Sequence, residues 1–289
     1  MKHQRVTRNR QRSRKIRLYT LLSIFAFSLL IGGSSIYISK NFDISPLAFY
    51  SNLANPNMRY VTIPAGMRKE QIAQKFGEAL SWDQKEIEKF IKTGPVDEER
   101  GLLDGYFMPG SYWVNLTDKG DDVAIMMMKN FNKVIGEKVL AVQGTQKKNA
   151  AGNKINLDTA VRIASLLQKE AAGGKDARII SGIIWNRLFS GMTLDIDATL
   201  QYAKGTEENW WPKPRSEDKY IDSPFNTYRN KGLPPTAIAN PSWSMIEAAL
   251  NPQQTDCVFY IHDNNRGFHC TKTYEAHKQN VQRYLVGKR

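Results

Sequence analysis

Histidine and cysteine are scarce, with 4 and 2 copies in 289 residues, and His262, His269 and His277 make no metal-binding spacing with Cys257 or Cys270. No metal and no cofactor are therefore expected. Acids are absent from residues 1–17, which hold eight Lys and Arg, so most of the formal net charge of +13 lies in a basic arm and the remainder is mildly basic. The arm is not interleaved with aromatic residues, which excludes nucleic acid from the expected partners. Charge of either sign is absent from Leu18 to Ile38, a run of 21 residues. At ~1.5 Å rise per residue, such a run spans a ~30 Å hydrocarbon core as one helix. The cations before it predict a cytoplasmic N-terminus, with everything after Lys40 outside. A small-x-small cleavage site is also missing after Ile38. A retained anchor is therefore expected over a cleaved signal, although Gly32 to Ser35 keeps cleavage open.

What is present is best read from Leu157 to Glu170, LDTAVRIASLLQKE. No Pro or Gly interrupts it, Asp158 or Thr159 can cap its start, and the Ala-Ala-Gly-Gly that follows stops it. Ile163, Leu166, Leu167 and Glu170 fall on one helical stripe, so the glutamate points where the leucines point. Partial burial and the negative end of the helix both favour the protonated carboxyl, which is how a general acid is held near neutral pH. A solvated or Arg-paired glutamate at the edge of an apolar stripe is the alternative.

Around this helix the chain reads as α+β. Asn41 to Asn57 is a polar connector. Tyr60 to Pro64 alternates like a strand, Ala65-Gly66-Met67 turns, and Lys69–Phe76 and Trp82–Ile91 read as helices. This opening resembles a LysM-like module, which implies carbohydrate binding; a small α/β lobe packed on the main domain is the other reading. Leu102 to Val114 is an aromatic strand-turn-strand. Asp118 to Val139 and Lys175 to Phe189 are helices, the latter pairing with the central helix as a hairpin. Arg187 either meets a carboxylate or reaches water. Asp195, Asp197, Thr199 and Gln201 gather on a turn before a short helix. Ser223 to Pro241 is rigid and proline-stiffened. Cys257 to His262 and Phe268 to Thr271 form a hairpin before the last helix. Its two cysteines are either bridged or free and buried, and neither state implies thiol catalysis.

The ordered blocks LLDGYFMPGSYW, ASLLQKEA, IIWNRLFSGMTLDIDATLQYAKG, SPFNTYRNKGLPPTAIANPSWSMIEAALNP and VFYIHDNNRGFHCTKTYEAHKQNV resemble the MltG (YceG-like) endolytic murein transglycosylase family from about Tyr60 to the end. NTY followed by GLPPxxIxNP is the most specific block. The resemblance implies cleavage of peptidoglycan glycan strands between N-acetylmuramic acid and N-acetylglucosamine, leaving a 1,6-anhydro end. Glu170 closes the A-S-x-x-x-K-E helix and takes the place of the catalytic acid. Gln168 stands where another acid is common. Asn226, Thr227 and Tyr228, with Asp197 and Gln201, are the implied substrate contacts. The pattern around Phe268-His269-Cys270 departs from the family's H-x-F, which makes His269 a surface or supporting residue. The resulting organisation is a basic arm (1–17), a transmembrane helix (18–38), a linker (39–57), a LysM-like lobe (58–114) and a mainly helical catalytic domain (115–289) ending in a β-hairpin. The expected location is the bacterial inner membrane, with peptidoglycan synthases as partners. A hydrolytic muramidase using Asp195 or Asp197, or a non-catalytic wall-binding scaffold, are the alternatives.

Overall fold

The computed structural model describes residues 45–142, 155–171 and 174–286. The basic arm and Leu18–Ile38 lie outside them. No helix among the described residues is long and apolar enough to cross a membrane. The chain divides into two units, Met1–Met58 and Arg59–Arg289. In the first, a helix α1 (Pro46–Ala54) occupies part of the expected connector. Its start is encoded locally: the Ser45 hydroxyl accepts the Ala48 amide at 3.2 Å, and Pro46 stands where an N–H would have no partner.

The larger unit is a mixed, mainly helical structure with a strand pair near its C-terminal end. It opens with β1 (Met58–Ile63), α2 (Lys69–Leu80) and α3 (Gln84–Lys92). Strands β2 (Val96–Asp97), β3 (Gly101–Leu102) and β4 (Gly110–Asn115) lead into the long helix α4 (Gly120–Val142). Asp83 caps α3 by accepting the Glu86 amide at 3.0 Å. Ile72, Phe76 and Phe90 are fully buried against Ile63 and Val114, and Val123 and Met127 of α4 close the same cluster. Phe131 and Ile135, one and two turns further along α4, belong instead to the second, larger cluster. One helix thus joins two cores.

The stretch Leu102–Val114 does not fold back on itself as expected. β3 pairs with β2 in register Val96↔Leu102, whereas β4 pairs with β1. Between them the chain must pass through a tight place at Gly105. Its φ is +94°, and a Cβ there would stand 2.7 Å from both Ala237 and Val161. Only glycine tolerates that conformation and that approach. The residues that follow are divided between the two cores, with Phe107 in the first cluster and Met108 in the second.

The second cluster is organised on α5 (Leu157–Glu170), which packs on α6 (Ala177–Phe189), α7 (Asp197–Lys204) and α8 (Trp243–Leu250). Asn156, not Asp158 or Thr159, caps α5, its side chain accepting the Thr159 amide at 2.7 Å. Asp158 is drawn away by Arg100 at 2.9 Å and by the Tyr106 hydroxyl at 3.2 Å. Ile163, Leu166 and Leu167 are wholly buried, so trimming either leucine to alanine costs about 2–5 kcal/mol.

A second face of α5 carries the proline-stiffened segment. Arg162 donates to the carbonyls of Pro234 and Leu233, at 2.9 and 3.2 Å. The Ser165 hydroxyl accepts the Ile238 amide at 3.1 Å, and the Gln168 side-chain oxygen accepts the Ser242 amide at 3.0 Å. Residues 162, 165 and 168 repeat every three positions, which keeps them on one side of a helix. The chain finishes with β5 (Phe259–His262), β6 (Phe268–Thr271) and α9 (Tyr274–Val281). The two strands pair antiparallel, and a Cys257–Cys270 disulfide joins their open end.

Candidate active site

Glu170 is the last residue of α5, and its stripe places the carboxyl beside two other elements, β5 and α7. From β5, the Tyr260 hydroxyl donates to Oε2 at 2.9 Å. From α7, the Ala198 amide donates as well, and the Asp197 carboxylate is close enough to act on it electrostatically. Helix α7 has Ile196 at its N-cap, a residue whose side chain cannot satisfy the first amides, so Glu170 supplies the acceptor that this helix end lacks.

These contacts pull the proton affinity of Glu170 in opposite directions. Burial is the largest influence and favours the neutral acid; Asp197 reinforces it. The hydrogen bonds from Tyr260 and Ala198, with His262 nearby, favour the anion. Burial wins, and the pKa lies above the ordinary carboxylate value. Part of the residue nevertheless remains open to solvent, so a substrate atom can approach it. The outcome is a carboxyl that holds its proton more tightly than an ordinary one yet has two donors ready when the proton leaves, an arrangement suited to alternating acid and base roles.

The neighbouring groups are held by a ring of polar contacts. Tyr228 donates to Asp197 Oδ1 at 2.7 Å, and the combined effect of burial and that carboxylate raises the phenol far above its usual range. Arg187 is buried at 8% exposure and ties the site together from behind. Its Nη1 donates to Leu194 O at 2.9 Å and to Asp195 Oδ2 at 3.0 Å, and its Nε donates to Val258 O at 2.6 Å. Of the two fates open to Arg187, the structure realises the ion pair. Arg187 thereby fixes the turn before α7 to the start of β5, the two elements that carry Asp197 and Tyr260. Asp195 stands in that turn with φ +53°, a left-handed conformation that costs a non-glycine residue roughly 1–3 kcal/mol unless its surroundings hold it.

The residues nominated from sequence therefore separate. Glu170, Asp197 and Tyr228 share one surface. Asn226 is fully buried, its amide nitrogen donating to Ile221 O at 2.8 Å and Lys219 O at 3.1 Å, while its oxygen accepts the Tyr228 amide at 2.9 Å. Thr227 is likewise buried and shares a 2.9 Å hydrogen bond with Thr199 while accepting the Ile196 amide. Their polar atoms hold the loop that presents Tyr228. Gln201 is a turn further along α7, half-buried. His269 pairs with Asp263 at 3.0 Å in the hairpin turn and stacks on Tyr284, away from Glu170. Tyr260 was missed by sequence reasoning. The signal available was the alternation of CVFYIH, which puts Tyr260 and His262 on the same face of the strand. No group of His, Cys, Asp and Glu among the described residues is arranged to hold a metal ion.

Comparison with known proteins adds an independent line. The model of the YceG-like family matches residues 38–283. The chain is 30% identical over 247 residues to the endolytic murein transglycosylase of Bacillus subtilis (strain 168), covering 79% of this chain and 66% of that one. It is 28% identical over 261 residues to the protein of the same name from Streptococcus pneumoniae (strain ATCC BAA-255 / R6), covering 81% of this chain and 46% of that one. The chain thus spans just under two thirds of the first relative and about half of the second. A crystal structure of a YceG-like protein from Listeria monocytogenes superposes with a TM-score of 0.62 at 26% identity, covering 76% of this chain and 74% of that one.

Proposed function

The chain belongs to the YceG-like family, and from that footing we propose that it is an endolytic lytic transglycosylase that cleaves peptidoglycan glycan strands between N-acetylmuramic acid and N-acetylglucosamine. Two relatives carry the name endolytic murein transglycosylase. The observation that carries the chemistry is the environment of Glu170: a carboxyl whose neutral form burial favours, with Tyr260 and Ala198 donating to it.

Glu170 gives its proton to the glycosidic oxygen as the bond to the muramoyl anomeric carbon breaks. Positive charge then develops on the sugar ring, and the Asp197 carboxylate, positioned by Tyr228, stabilises it. The Glu170 anion, held by Tyr260 and the Ala198 amide, takes the proton from the muramoyl 6-hydroxyl as that oxygen closes on the anomeric carbon. The product carries a 1,6-anhydro end, no water is consumed, and Glu170 finishes protonated. One carboxyl performs both proton transfers, whereas a hydrolase normally places two carboxyls about 5–5.5 Å or about 6.5–9.5 Å apart.

Leu18–Ile38 is the single-pass anchor in this reading, holding the larger unit on the outer side of the bacterial cytoplasmic membrane beside the synthases that extend the strands. The β1–α2–α3–β4 order, with the two strands paired around two helices, supports a LysM-like role for the first lobe in holding glycan. Digestion of isolated sacculi with the full-length chain tests the activity. Release of fragments with 1,6-anhydro-muramoyl ends is expected. Intact sacculi with bound protein would leave a wall-binding scaffold, and reducing ends would identify a muramidase.

A further inference from the structure

Lys169 precedes Glu170 on α5 and projects toward a different neighbour. Its ammonium stands 3.5 Å from the centre of the Trp211 ring, in a half-buried position where lost hydration and the adjacent Arg68 both lower its pKa. Among the described residues no carboxylate pairs with it. The carboxylates around Tyr202 are already engaged, Asp104 by Lys69 at 2.7 Å and Glu70 by Arg68 at 3.7 Å. The platform under it is rigid. Trp211 donates its ring N–H to Gln71 at 3.2 Å, and Arg68, buried at 7% exposure, lies 3.9 Å from the Tyr202 ring centre. An aromatic face offsets part of the cost of burying a cation but accepts no ordinary hydrogen bond, so the three N–H donors of the ammonium keep capacity for an anion. A half-buried cation without a counter-charge is unfavourable by itself and becomes favourable when an anionic ligand arrives.

We propose that Lys169, mounted on Trp211, is the anion-binding element of a substrate subsite adjoining Glu170, and that it takes a carboxylate carried by a muramoyl residue of the glycan strand. This rests on the transglycosylase reading. Every second sugar of such a strand bears a lactyl group, whose carboxyl is free when the stem peptide has been removed and amide-linked when the stem is present; in the second case the stem itself supplies carboxylates. The subsite thereby couples cleavage at Glu170 to the charge of a neighbouring substituent.

The test uses the full-length chain, Lys169→Met and Lys169→Arg on soluble glycan strands of four kinds: stems intact, stems removed by an amidase, and each of these with carboxylates converted to primary amides by carbodiimide and ammonia. Wild type should show a KM about tenfold or more lower on the carboxylate form than on its amidated counterpart, the range of one charged hydrogen bond. Lys169→Met should erase that difference without raising KM on amidated strands, and Lys169→Arg should retain part of it. Whether intact or stripped strands carry the difference identifies the stem or the lactyl group as the source. A loss of equal size on all four strands would make Lys169 a clamp for Trp211 only and overturn the subsite. Equilibrium binding of the same strands to Glu170→Gln, with and without Lys169→Met, reads charge discrimination without turnover. Failure of the cleavage chemistry and failure of the subsite are thus separated.

Discussion

Tyr260 donates a hydrogen bond of 2.9 Å to Glu170 across 90 residues of sequence. The contact joins the C-terminal hairpin to the end of the central helix. It also opposes burial, because a donor to the carboxyl favours the anion. In the proposed reaction its role falls in the second proton transfer, when Glu170 is briefly charged and must remain a base of moderate strength.

Tyr260→Phe accordingly lowers kcat by about tenfold to a hundredfold, the value of a hydrogen bond to a charged group at ~1.5–3 kcal/mol. Removing the hydroxyl also raises the pKa of Glu170 further. The alkaline limb of kcat/KM therefore moves to higher pH in the variant. A slower variant with an unmoved limb would place Tyr260 in packing alone.

Stability and chemistry conflict at Glu170, and the sign can be stated. Unfolded, this carboxyl ionises near its ordinary 4.5, and folded it ionises at higher pH. Between those two points the folded chain holds a proton that the unfolded chain has released. Stability therefore falls as pH rises through that window, and the loss is complete above the folded pKa. Glu170→Gln has no such proton. Thermal melts at a series of pH values should show its Tm rising relative to wild type from pH 4.5 upward, with no such trend below. A constant difference would contradict a raised pKa.

The segment Leu233–Ser242 depends on α5 for its position. Ser165 is fully buried, and it accepts the Ile238 amide while donating to Arg162 O at 2.7 Å. Ser165→Ala leaves the Ile238 amide without that acceptor, at a cost of about 1–3 kcal/mol. Urea unfolding should register this as a lower midpoint with an unchanged m-value.

Much of this was legible in the chain. The 3.6-residue period of Ile163, Leu166 and Leu167 located both the central helix and the direction of Glu170, because burial on a helix is a local pattern. The cap was misplaced: Asn156, Asp158 and Thr159 are all capable acceptors, and the choice among them was decided by Arg100, distant in sequence. The hairpin expected over Leu102–Val114 failed for a related reason. Alternation identifies strands but not their partners, and the partners here are β1 and β2. The family resemblance implies Asn226 and Thr227 as substrate contacts, whereas in the fold their buried polar atoms bond to the backbone of their own loop and to its neighbours Thr199 and Ile196. For Tyr260 the alternation of CVFYIH marked only its face of the strand; its partner, Glu170, lies on another element and left no local sign.

The hairpin that presents Tyr260 is closed by Cys257–Cys270, a sequence separation of 13. By chain-entropy reasoning, a loop of that size contributes roughly 3 kcal/mol. Reduction should lower the unfolding midpoint by a matching amount, and alkylation of the unreduced, unfolded chain should add no mass. An alkylated product without reductant would show free thiols.

The account turns on whether Glu170 breaks the glycosidic bond without water. Cleavage of glycan strands in heavy-oxygen water, followed by mass analysis of the new muramoyl ends, tests this most directly. The full-length chain should yield anhydro ends that contain no solvent oxygen, and Glu170→Gln should yield none above background. New ends carrying one heavy oxygen, or undiminished cleavage by Glu170→Gln, would contradict it.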